Sequence, residues 1–204
     1  MARRESLRRR RPSRKPKPRF LLVCEGQVTE PCYFRELRHL MRSLIELELL
    51  PGGDPKALVE RAVQKRAESK VLARREGDSY LAYDQVWCVF DVDQHERLND
   101  ALQQARDNKV SVAASNPCFE LWALLHFQDQ TAFIERGKVQ SLCRSYMPQF
   151  DKKLPCAKLL DRYQEAKERA LKLEQLNLSQ NKVGANPSTG VHHLIQEIEL
   201  QSQA

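Results

Sequence analysis

Apolar residues along the chain fall into two patterns, short strand-like runs and longer stretches with helical spacing. The runs at residues 20–24 and 85–90 are apolar, apart from Gln85 at the start of the second, which predicts strands buried on both faces of a sheet. Residues 45–49 alternate strictly, as in a half-exposed strand, and residues 110–114 form a fourth short run. Longer stretches in which apolar residues recur at helical spacing lie between these runs. Strands that alternate with helices favour a parallel sheet with right-handed crossovers.

Start signals for helices occur after the first two strands. Thr29 and Pro31 begin one helix, and Asp54 and Pro55 begin the next, each pairing a capping residue with a first-turn proline. The predicted helices cover about residues 29–44, 54–75, 95–108, 118–127, 137–146 and 156–176, with a last one after 186. A chain of 204 residues is long enough to bury one core. We expect one α/β domain over residues 20–204, with a four-stranded, mainly parallel sheet and a helical portion from about residue 117.

The positive charge of the chain is concentrated at its N-terminus. Ten of the 34 Lys and Arg residues lie within residues 1–19 against a single acid, so the rest of the chain is slightly negative. This proline-rich arm cannot bury apolar surface, and we expect it to be disordered until it meets a partner. It either attracts nucleic-acid phosphates without reading sequence, or only confers solubility or contacts an acidic partner. The candidate phosphate ligands are Arg8, Arg9, Arg10, Arg11, Arg14 and Lys15.

Cysteine spacing and hydropathy exclude several classes of protein. The six cysteines contain no C-x-x-C pair, which argues against a zinc ribbon or a thioredoxin-type site, and a reduced cytoplasm is the expected compartment. Cys24 and Cys88 lie in strand-like runs and are expected to be core side chains. The apolar runs are far shorter than the ~20 residues that cross a bilayer, and the basic N-terminus lacks the apolar segment of a secretory signal.

Three acids follow predicted strands. Glu25 comes directly after the first strand, and Asp91 and Asp93 follow the third. Ligands of open parallel sheets bind beyond the carboxyl ends of the strands, and alternate residues of an extended segment point to the same side. Such carboxylates suit Mg²⁺ or Mn²⁺. Alternatively, Asp93 merely caps the next helix, and the Glu25 turn is an ordinary turn.

Further polar residues are candidates for the same cleft, each with an ordinary structural alternative. Glu30 is a second metal ligand or a first-turn acid, and Glu120 is a catalytic acid or a favourable charge near a helix N-terminus. His95 orients a water or is polar surface.

Asn116 and His126 are further candidates to line the cleft. Ser188 and Thr189 belong to a segment that caps the final helix and offers backbone N–H groups to a phosphate.

Four ordered motifs resemble the RloB-like family over most of the chain after residue 20. They are C-E-G-Q-V-T-E-P at residues 24–31, V-F-D-V-D-Q-H at 89–95, S-N-P-C-F-E-L-W at 115–122, and N-P-S-T at 186–189. The third of these is the least expected by chance. The resemblance implies a Toprim-like fold, in which Glu25 is the Toprim glutamate and Asp91 and Asp93 hold Mg²⁺. Gln94 stands where the family often has another acid, which leaves the number of metals open.

The resemblance also implies a role in phage defence beside an ATPase partner. Our leading hypothesis is a metal-dependent nuclease effector in which the arm recruits nucleic acid, either RNA, including tRNA, or DNA. One alternative is a non-catalytic regulatory subunit that docks an ATPase. Another is a Toprim phosphoryl or nucleotidyl transferase at the same metal site. The sequence leaves open whether the chain forms a homo-oligomer.

Overall fold

A parallel sheet forms the centre of the computed structural model, which describes residues 17–49, 54–92, 98–148 and 155–202. The strand order is β2-β1-β3-β4-β5, with β5 antiparallel at one edge. The strands are β1 (Arg19–Cys24), β2 (Leu44–Leu49), β3 (Gln85–Asp91), β4 (Ser111–Asn116) and β5 (Ser188–Thr189). The α/β class with a mainly parallel sheet, consistent with a Toprim-like fold, is therefore confirmed.

Helices connect the strands and then make up most of the C-terminal part. They are α1 (Thr29–Met41), α2 (Pro55–Glu76), α3 (Leu98–Asp107), α4 (Glu120–Leu125), α5 (Arg136–Tyr146), α6 (Cys156–Leu160), α7 (Tyr163–Ser179) and α8 (Val191–Ser202). A short 3-10 turn at Ser79–Leu81 precedes β3. None of the helices in the described part of the chain is long and apolar enough to cross a membrane.

Both faces of the sheet are covered by apolar side chains, which explains the continuous apolar runs. Leu21 and Val23 of β1 belong to a cluster with the residues of α2 and α3, whereas Phe20, Leu22 and Cys24 belong to the larger cluster on the other face. That larger cluster includes residues of α1 and of all five C-terminal helices. Since successive strand residues point to opposite faces, a strand between two layers needs an apolar residue at every position.

The structure differs from the expected elements in three places. Ser188 and Thr189 form the short fifth strand beside β4 rather than only a helix cap, although the Thr189 hydroxyl still accepts a hydrogen bond from Val191 N–H at 3.4 Å. The helix expected over residues 156–176 is two helices, because α6 packs on α1 and α7 packs on α4. Arg19 belongs to β1, and its guanidinium pairs with Glu46 at 3.2 Å, so it is not part of the basic arm.

Cys32 and Cys156 form a disulfide that the cysteine spacing did not indicate. Cys32 lies in α1 and Cys156 in α6, with Cα atoms 6.3 Å apart and a sequence separation of 124 positions. This separation is within the range that a disulfide spans. The other four cysteines, Cys24, Cys88, Cys118 and Cys143, are free and buried, as expected for core side chains in the first two cases.

His126 is part of the core and does not line a cleft. Its Nδ1 lies 2.9 Å from the Trp122 carbonyl, and its Nε2 lies 3.3 Å from the Tyr33 hydroxyl. Burial lowers the pKa of His126 to about 4, so the ring is neutral near pH 7. We assign the proton to Nδ1, which donates to the carbonyl, so that Nε2 accepts from the Tyr33 hydroxyl.

We expect Tyr33→Phe to lower the free energy of unfolding by about 1–3 kcal/mol, because it leaves the buried His126 Nε2 without a donor. Urea denaturation measures the change. Tyr80→Phe is the matched control, since Tyr80 is exposed, and its effect should stay within about 0.5 kcal/mol. Equal effects of the two substitutions would show that the Tyr33–His126 hydrogen bond contributes nothing.

Candidate active site at the ends of β1 and β3

Four carboxylates from different elements line one cavity of about 250 Å³. Glu25 follows β1, Asp91 ends β3, Glu30 lies in the first turn of α1, and Glu120 is the first residue of α4. They meet because β1 and β3 are adjacent parallel strands that end together, with Cys24 paired to Val89. The cavity is therefore at the carboxyl edge of the sheet, where open α/β sheets bind ligands.

Asp91 is the most constrained of the four acids. One carboxylate oxygen accepts a hydrogen bond from Phe119 N–H at 2.8 Å, and the other lies 2.7 Å from Nη2 of Arg136. The Asp91 backbone N–H in turn donates to the Glu25 carboxylate at 3.3 Å. Asp91 thus links the ends of two strands to the starts of α4 and α5.

Glu30 is 5% exposed, and its position depends on Gly26. The Glu30 carboxylate lies against the Gly26 Cα, and a Cβ at residue 26 would overlap the carboxylate atoms. The glycine of the E-G turn therefore makes space for a neighbouring acid.

Burial and mutual repulsion raise the pKa values of two of these acids. The pKa of Asp91 rises from 3.8 to about 8, first through burial and then through Glu30 and Glu120, against the opposing effect of Arg136. The pKa of Glu30 rises from 4.5 to about 7, again mainly through burial, with further contributions from Glu120 and Glu25. A cavity that holds four acids and one arginine has too few cations to keep every acid ionised at neutral pH.

The donor set of this cavity fits a hard divalent cation such as Mg²⁺ or Mn²⁺. All four acids supply oxygen atoms, and the raised pKa values of Asp91 and Glu30 show a deficit of positive charge that a cation would relieve. Among the described residues, no three of these acids bring their oxygens within 4.8 Å of one another. Mg²⁺ commonly uses only one or two protein carboxylates and fills its other positions with water or phosphate oxygens.

Several residues singled out in the sequence lie outside the described part of the chain. Asp93, Gln94 and His95 belong to residues 93–97, and the arm with Arg8, Arg9, Arg10, Arg11, Arg14 and Lys15 belongs to residues 1–16. Their roles as metal, substrate and nucleic-acid ligands stay predictions.

Three other candidates are described but do not line the acidic cavity. The Asn116 side chain donates to the Gly184 carbonyl at 3.0 Å. Thr189 is buried, and its hydroxyl lies 2.9 Å from that of Ser115. Ser188 and Thr189 line a different cavity, of about 410 Å³, between α3, β4 and α7. The structure thus gives Asn116 and Thr189 structural partners, while their expected substrate contacts stay predictions.

Arg136 and Gln140 line the acidic cavity and had no signal in the sequence. Both lie in α5, whose first residue is Arg136. An arginine at the start of a polar helix belongs to no motif that would mark it as functional. It contacts Asp91, which lies 45 positions earlier in the sequence. Only the packing of α5 beside α4 makes the contact recognisable.

A family model described as RloB-like protein matches residues 20–198 of the chain. Comparisons with curated proteins and with solved structures gave no match. The family resemblance expected from the four motifs is therefore confirmed over most of the chain.

Asp91 should make the metal-free protein less stable as the pH rises. Its folded pKa of about 8 exceeds the ordinary 3.8, so its contribution to stability is complete below pH 3.8 and is lost as the pH approaches 8. We expect the unfolding free energy of wild type minus that of Asp91→Asn to fall from about pH 5 to about pH 8. Chemical denaturation in a chelating buffer measures this difference. A difference that is constant over this range, or that grows with pH, would contradict the prediction.

Proposed function

The chain belongs to the RloB-like family, and we propose that it is a metal-dependent nuclease effector of an antiviral system. The observation that carries the proposal is the convergence of Glu25, Glu30, Asp91 and Glu120 on one cavity that also holds Arg136. Phosphodiester hydrolysis requires that negative charge on phosphate be neutralised and that a water be oriented. The carboxylates of this cavity would bind the cation, and the arginine would bind the phosphate, so the cavity has the groups that this chemistry requires.

In the proposed mechanism, Asp91 and Glu25 are the principal ligands for the cation, together with Asp93 as predicted from the sequence. A bound Mg²⁺ or Mn²⁺ would orient the attacking water and neutralise charge on the phosphate. Glu25 has a fixed carboxylate because it accepts the Asp91 N–H. Glu30 and Glu120 complete the acidic wall, as further ligands or as hydrogen-bond acceptors for bound water.

Arg136 is the proposed phosphate ligand. Its side chain is 41% exposed, and its guanidinium pairs with Asp91. A cation bound at Asp91 would compete with that ion pair and leave guanidinium N–H groups for phosphate oxygens, which arginine binds well because its planar fork matches their geometry. We propose that the predicted basic arm adds attraction that is sequence-independent and weakened by salt.

We expect Asp91→Asn and Glu25→Gln each to reduce Mg²⁺-dependent cleavage by about 100-fold or more, because each removes a cation ligand. Labelled RNA, including tRNA, and DNA are incubated with the full chain and Mg²⁺ or Mn²⁺, alone and with the ATPase partner that the family resemblance implies. Glu60→Gln is the matched control, since Glu60 is an exposed acid of α2 outside the cavity.

Cleavage that persists in both cavity variants would contradict the active-site assignment. No cleavage under any condition, with co-purification of the ATPase that survives both substitutions, would favour the regulatory-subunit alternative. Incorporation of labelled nucleotides, rather than hydrolysis, would identify a transferase.

Gly26→Ala tests Glu30 without altering an acid. A Cβ at residue 26 overlaps the Glu30 carboxylate. The Glu30 side chain is flexible and must therefore move away, while the backbone keeps its position. We expect the Mg²⁺ affinity to fall by about 10-fold, as for loss of one supporting group, with thermal unfolding near that of wild type. Gly137→Ala is the matched control, because a Cβ there meets no atom within 4 Å. Isothermal titration of Mg²⁺ measures both variants, and unchanged affinity in Gly26→Ala would exclude Glu30 from the site.

A further inference from the structure

A second cluster of metal-ligating side chains lies outside the acidic cavity, between α7 and α8. His192 Nε2 lies 3.2 Å from one carboxylate oxygen of Glu174, and His193 Nε2 lies 2.8 Å from the other. The three ligand atoms lie within 4.8 Å of one another. Among the described residues, this is the one group of three or more His, Cys, Asp or Glu side chains with such spacing.

We propose that Glu174, His192 and His193 bind a divalent transition-metal ion of the Zn²⁺ type. Zn²⁺ binds imidazole nitrogen and carboxylate oxygen at about 2.0–2.2 Å, so ligands of a tetrahedral site lie roughly 3.3 Å apart. The contacts at 2.8 and 3.2 Å end on different oxygens of Glu174, and the ligand atoms lie within 4.8 Å of one another, so shifts of up to about 1.5 Å would reach that spacing. Two histidines and one carboxylate leave a fourth position for water.

The positions of the two rings support metal binding. His193 follows His192 directly in the first turn of α8, where adjacent side chains normally diverge around a helix. Their ring centroids are nevertheless 3.9 Å apart, because both rings turn toward Glu174. His192 is 2% exposed, its Nε2 faces Glu174, and its buried Nδ1 has no hydrogen-bond partner among the described residues.

The site differs chemically from the acidic cavity. Imidazole nitrogen favours transition metals, whereas a set of oxygen donors favours Mg²⁺ or Mn²⁺. The ion would tie the middle of α7 to the start of α8, directly after β5. It would therefore hold the C-terminal helices and the edge of the sheet together, independently of the nuclease function proposed for the acidic cavity.

Titration of the untagged full chain with Zn²⁺, in excess Mg²⁺ to occupy the acidic cavity, tests the proposal. We expect one equivalent of Zn²⁺ to bind and to raise the unfolding temperature, because it binds the folded state. His193→Ala and Glu174→Gln should each lower the affinity by about 10-fold or more, which corresponds to ~1.4 kcal/mol per factor of ten. His193 is exposed and its contact with Glu174 lies at the surface, so its replacement should change the metal-free unfolding temperature only slightly.

Two control variants and one spectrum locate the bound ion. His39→Ala, which removes an exposed histidine of α1, and the double variant Glu25→Gln/Asp91→Asn should both retain Zn²⁺ affinity. Co²⁺ in place of Zn²⁺ should show a visible absorption band without a thiolate charge-transfer band. The proposal is wrong if Zn²⁺ does not bind, if affinity survives in His193→Ala, if it is lost in the double variant, or if the thiolate band appears.

Discussion

The parallel pairing of β1 with β3 is the constraint on which the rest of the structure depends. These two central strands are buried between two apolar layers, and their pairing in register brings Glu25 and Asp91 to the same edge of the sheet. A shift of one residue would send each side chain to the opposite face, where it meets different packing partners, so the distinct packing of the two layers fixes the register. The acids are close together because the core fixes the strands, and not because the acids attract one another.

The acidic edge is stable in spite of its charges because partners and protons offset them. Asp91 has Arg136 and the Phe119 N–H, and the pKa values of Asp91 and Glu30 rise toward neutrality. A bound divalent cation would replace those protons, so metal binding should release protons. The same surplus of negative charge that costs stability in the metal-free state favours the binding of a cation.

Most of the sheet and several helix boundaries could be predicted from local sequence. Four apolar runs located four strands, and Asp54 caps α2 through hydrogen bonds to Lys56 N–H and Ala57 N–H at 2.8 and 3.1 Å, as the cap-and-proline signal indicated. The fifth strand was not predictable, because two residues carry no period and pair only after the chain has returned to β4. The break between α6 and α7 was missed because no glycine or proline marks it.

The sequence by itself determined the α/β class, the family, and the acids that follow β1 and β3, since these depend on local periodicity and on contiguous motifs. Only the tertiary structure showed that Arg136 pairs with Asp91, that His126 is a core residue, that Cys32 bonds to Cys156, and that His192 and His193 share Glu174. These contacts join residues that are 18 to 124 positions apart. Local spacing carries no information about which distant side chains meet, because the packing of whole helices on the sheet decides it.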